Sequence, residues 1–250
     1  MKAAFSVVLR VIALSLVLFF SYSVASLMVG LGTPSGSSTA AVIWLFAASL
    51  LSSIAISYPV IRSKWYGWRL VLTIFTVFYG ITTFLSQIET VVFLEYLVNI
   101  IPAEIVPRLF VQGVIVSALF SVSAVLIHGK MSGGKEYGES ETEKISPNIC
   151  LNMPLKVWIW KLSLVAVIYV AIYISFGMLV FRPLAGDAFQ EFYAGLQLPA
   201  WIVPFQMVRG LVWAALALPV IKMMEGELWE IKLAVALLFS VLMGSLLLMP

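Results

Sequence analysis

The sequence predicts an all-α membrane protein, a bundle of about seven transmembrane helices built as two parallel structural repeats. Three observations carry that expectation. Hydrophobic residues make up 62% of the 250 residues and charged residues 11%, with a mean hydropathy of +1.07, whereas about a quarter of the residues of a soluble chain are charged. Apolar runs of the roughly 20 residues needed for a membrane-crossing helix recur along the chain. A single long stretch, His128 to Pro154 (HGKMSGGKEYGESETEKISPNICLNMP), is too polar for lipid, and it divides the chain in two.

Residues 1–128 form the first membrane half. An apolar run from Ala3 to about Leu31 is broken only by Arg10 and reads as the first span. Ser23-Val24-Ala25 also offers a signal-peptide cleavage pattern, but the apolar run continues through Leu27-Met28-Val29 beyond it. After the polar turn Gly32 to Ser38, a second helix covers Thr39 to Ile61. The GTPSG in that turn is not a hydrolase elbow, because its serine is one place late and no strand precedes it. A third helix is expected from about Trp68 to Ser86, followed by a short outer helix at about 87–101 that carries Gln87, Glu89, Glu95 and Asn99. A fourth, from about Glu104 to Ile127, has Gly113, Ser117 and Ser121 at four-residue spacing, a stripe that lets another helix pack closely.

Residues 129–155 form a polar linker. GKMSGGK fits part of a phosphate-binding loop, yet Glu136 stands where Ser or Thr would hold magnesium and no strand comes before it, so it reads as a glycine-rich tether. His128, the one histidine, reads as an interfacial residue rather than a metal ligand. Residues 156–250 form the second half. Three spans are expected there, at about Lys156–Phe181, Trp201–Val220 and Trp229–Met249, with an amphipathic outer segment at about 184–198.

The halves repeat their features in order. Arg10 and Tyr22 of the first helix resemble Lys161 and Tyr173 of the fifth; Pro59-Val60-Ile61-Arg62 resembles Pro219-Val220-Ile221-Lys222; Trp65 or Trp68 opens the third helix as Trp229 opens the seventh, and Gly80 falls where Gly244 does. An even number of spans separates the equivalent helices, so the repeats are parallel. The second half is then one helix short, with Met249-Pro250 aligning near Ile101-Pro102, and a dimer partner could cover the face left open. Twelve Lys and Arg fall on the side of the N-terminus and linker against two, Arg108 and Arg182, on the other, which predicts a cell-membrane protein with N-terminus and linker cytoplasmic and C-terminus external.

Function must come from the few polar groups in apolar runs. Gln206 and Arg209 lie one turn apart in the sixth span, with Arg209 about 12 Å down the helix from Trp201 at 1.5 Å per residue. Glu89 is the expected acidic partner, with Glu191 and Glu104 in reserve and Gln87 beside it; the alternatives are snorkelling to lipid phosphates or a bound anionic ligand. The sequence favours small-molecule or lipid transport or handling, ahead of a non-catalytic membrane partner or scaffold and then an intramembrane enzyme. There is no HExxH or Gly-x-Ser-x-Gly motif and no Cys/His pair within the spans, and no catalytic residue, metal or cofactor is expected. The expected partners are membrane lipids and a homodimer or other membrane subunit. The basic residues are scattered at helix ends, which argues against nucleic acid.

Overall fold

The computed structural model describes residues 2–31, 39–94, 102–132, 151–186 and 200–246. Within them the chain is helical, and seven helices are long and apolar enough to cross a membrane. They are α1 (Lys2–Met28), α2 (Thr39–Ile61), α3 (Gly67–Val92), α4 (Ile105–Ile127), α5 (Leu155–Leu184), α6 (Ile202–Met223) and α7 (Leu228–Leu246). The apolar runs set these elements because a helix satisfies its own backbone while every side of it stays apolar. Pro59 and Pro219 are tolerated close to the C-terminal ends of α2 and α6.

Helix α3 is the centre. Its most apolar window is 56% buried, against 6% for that of α5, so α3 is the helix the others pack around and α5 the outermost. Leu70, Ile74, Phe78 and Ile81 of α3 meet Leu14 and Leu18 of α1, Phe120 of α4 and Val220 of α6 in one apolar core. The rings of Phe78 and Phe120 lie 4.6 Å apart between centroids. Helix α4 packs on α1 and α3, α7 on α2, and α5 on α6. The predicted small-residue stripe on α4 is buried at Gly113, Ser117 and Ser121. A Cβ at Gly113 would overlap the side chain of Thr83, so glycine is what allows α3 and α4 to approach there.

Two departures from the sequence reading matter. Residues 87–92 continue α3 rather than starting a separate outer helix, so Glu89 lies inside the third helix. The polar run Ser86-Gln87 looked like an end, but the neighbours of Glu89 supply what water would have supplied. Each of α3 and α5 also contains a π-turn, Gly80–Phe84 and Gly177–Phe181, which periodicity does not reveal. The expected outer segments at 95–101 and 187–198 and the linker from 133 to 150 lie outside the described residues.

At one end of the bundle the α2–α3 and α6–α7 loops pair with each other. Lys64 N–H donates to the Met223 carbonyl at 2.8 Å and Glu225 N–H to the Arg62 carbonyl at 2.9 Å, on either side of an antiparallel bridge between Ser63 and Met224. Lys130 donates to the Ser63 carbonyl at 2.8 Å and lies over the Tyr66 ring, while Arg69 stacks on Trp65. His128, which caps α4 at this end, is buried, with Nε2 3.0 Å from Ser57 Oγ.

Candidate functional site

Helix α6 carries a cation and an amide on one face because Gln206 and Arg209 are three residues apart. Both are buried, with 1% and 2% of their surface exposed, and Arg209 is among the largest fully buried side chains of the described residues. An unpaired guanidinium could not remain there, since a buried charge is tolerated only when paired and hydrogen-bonded.

The pairing draws on three helices. Arg209 Nη2 lies 2.8 Å from Glu89 Oε2 of α3 and donates to the Leu85 carbonyl at 3.1 Å. Nη1 donates to Gln206 Oε1 at 2.9 Å. Tyr173 of α5 donates its hydroxyl proton to the other carboxylate oxygen, Glu89 Oε1, at 2.7 Å. The guanidinium carbon stands 5.9 Å from the centroids of both the Tyr173 and Phe205 rings, at the outer limit of a cation–π contact. Leu85 directly follows the π-turn of α3, and Tyr173 comes four residues before that of α5, so both local irregularities adjoin the cluster. Helices α5 and α6 can meet at this level because Gly210 has no side chain: a Cβ there would lie 2.8 Å from Tyr169 Cβ and 3.3 Å from Ala166 Cα.

Some hydrogen-bonding capacity is unspent. Arg209 Nε and Gln206 Nε2 are buried and have no partner among the described residues. The burial is also one-sided, because the Glu89 side chain keeps 29% of its surface exposed against 2% for Arg209. The exposed part of the ion pair is therefore its carboxylate.

Of the residues singled out by sequence, Arg209, Gln206 and Glu89 come together. Gln87 does not join them: it is two residues from Glu89 and so points to another side of α3, with a buried Oε1 that has no partner among the described residues. Glu104 is exposed beside the start of α4, and Glu191 lies outside the described residues. The sequence reading did not assign Tyr173 to a site, although a hydroxyl in the middle of an apolar helix was the available signal. Among the described residues no three His, Cys, Asp or Glu gather in a metal-binding group. The cluster itself contains no hydroxyl or thiol nucleophile beside a histidine. A surface recess of about 310 Å³ lies between α1 and α4, lined by Leu16, Phe20, Val24, Leu119 and their neighbours, and none of the cluster residues line it.

Comparison with known protein families, with curated proteins and with solved structures found no match.

Proposed function

We propose that this is a multi-pass cell-membrane protein that binds a small polar molecule or a lipid at the Arg209 cluster and handles or transports it. The observation that carries the reading is a guanidinium 2% exposed in an apolar helix, with its Nε and the neighbouring Gln206 Nε2 left without partners among the described residues. Charge at membrane depth is costly, about 2.5–3.5 kcal/mol at the centre of a spanning helix on insertion scales, so it marks a functional site by default. The test is mass spectrometry of what co-purifies with the protein in mild detergent. A defined lipid or metabolite is expected with the wild type and is reduced at least about tenfold in folded Gln206→Leu, Arg209→Lys protein. Equal recovery from both would overturn the reading.

In this proposal the N-terminus and the linker face the cytoplasm. Support comes from Arg62, Lys64, Arg69 and Lys130, which gather at one end of the bundle. Cys150, the one cysteine, tests this: an impermeant maleimide should label inside-out vesicles and spare intact cells, and labelling of intact cells would reverse the topology.

The halves are parallel repeats related by a pseudo-two-fold axis. One support is the start of the third helix of each half, where Trp68 and Trp229 are each the second residue of α3 and α7. Exchange of the halves likewise matches the α1–α2 with the α5–α6 packing and the α2–α7 with the α3–α6 packing.

A second reading, a scaffold that binds another membrane subunit or its own copy, is favoured by α5, whose apolar window is only 6% buried.

A further inference from the structure

We infer that the ligand of the Arg209 site is an oxyanion, a phosphate or carboxylate group, and that Glu89 holds its place when the site is empty. The inference rests on the proposed ligand-handling function and names the chemistry of the ligand. Arg209 presents five N–H donors in a planar fork, a shape suited to two-point capture of carboxylate or phosphate. Only the outer part of that fork is used, by Glu89, Leu85 and Gln206. Among the described residues the inner Nε–H and the Gln206 amide nitrogen are buried with no acceptor. A set of surplus donors around a cation selects an acceptor-rich anion and disfavours a second cation.

Charge balance decides how such an anion binds. Added to the intact pair, it would leave an unmatched negative charge in a low-dielectric site, which is strongly disfavoured. Exchanged for the Glu89 carboxylate, it leaves one buried ion pair as before. Glu89 is the partner able to leave, since its side chain is 29% exposed while Arg209 is 2% exposed. The tether on it from outside the ion pair is the hydroxyl bond from Tyr173 at 2.7 Å. That tether belongs to α5, the least buried helix. Movement of α5 would therefore free the carboxylate and open the guanidinium together. The group could belong to a lipid headgroup or to a soluble anion, since the same donors serve both.

The test uses full-length protein in phosphatidylcholine nanodiscs, either with a tenth of the lipid replaced by phosphatidic acid or with inorganic phosphate added, and bound anion is measured by native mass spectrometry. Glu89→Gln should bind anion at least about tenfold more tightly than wild type because the resident competitor is gone. Tyr173→Phe, which leaves the ion pair intact, should tighten binding about threefold or more by loosening the carboxylate, and remains informative if Glu89→Gln fails to fold. Arg209→Lys should abolish the gain when combined with Tyr173→Phe. Retention of phosphatidic acid alone assigns the site to a lipid headgroup, and retention of phosphate assigns it to a soluble anion. Binding that is unchanged in both Glu89→Gln and Tyr173→Phe, or that survives Arg209→Lys, would overturn the exchange. Preferential retention of phosphatidylcholine that depends on Gln206 would also overturn it, while leaving the ligand-handling function standing. Absence of any Arg209-dependent ligand, here and on co-purification, would remove both.

Discussion

His128 shows how a single buried group sets a response to pH. Removal from water, and secondarily the charge of Arg10, lower its pKa from 6.5 to about 4. Between those values the unfolded chain holds the proton and the folded chain does not, so stability rises with pH across that window. The contribution is complete above about pH 6.5 and is lost progressively as pH falls towards 4. Thermal unfolding in detergent should show this slope, and His128→Gln should flatten it. A profile equally steep in both proteins would assign the pH dependence to other groups. The burial itself was not legible from sequence, because a histidine at the edge of a polar linker looks solvated until Ser57 of another helix is found 3.0 Å away. Arg209, Gln206 and Glu89 were legible for the opposite reason: polar groups in apolar runs are conspicuous wherever they fall. Gln87 was grouped with Glu89 by closeness in sequence, which helix geometry does not respect.

At the scale of elements, apolar periodicity located all seven helices, and the α2 bounds coincide with the expected Thr39–Ile61. It failed at the C-terminal end of α3, where the polar residues are matched by tertiary partners that no local pattern can supply, and at both π-turns. Glycines separate close packing from open surface. Gly210 faces Tyr169 and Ala166, so Gly210→Val must push α5 away from α6, at a cost of about 1–3 kcal/mol as for other overpacked sites. Gly244 has nothing within 4 Å of its would-be Cβ, so Gly244→Ala should be neutral or stabilising by up to about 1 kcal/mol. Denaturation of the two variants side by side checks the contrast, and equal effects would mean that α5 is not held at Gly210. Gly80, aligned by sequence with Gly244, is instead pressed against Leu216, so that pair of glycines does not share an environment.

On the scale of the whole molecule, the ion pair joins the helices before the linker to those after it, with Glu89 from α3 and Arg209 from α6. Sequence could name both residues because each is costly in lipid. It could not supply the Tyr173 bond or the Leu85 carbonyl, which depend on how α3, α5 and α6 meet. Because the two charges meet across that junction, a double-mutant cycle measures whether the halves are locked there. Glu89→Gln alone strands a buried guanidinium, at a cost of about 3–5 kcal/mol, and Arg209→Gln costs less because the Glu89 carboxylate it leaves is 29% exposed. Chemical unfolding in detergent micelles of wild type, each single variant and the double variant is the direct measurement. A coupling energy of about 1–3 kcal/mol, with the double variant recovering part of the summed losses, is the predicted result, and losses that add to within about 0.5 kcal/mol would contradict it.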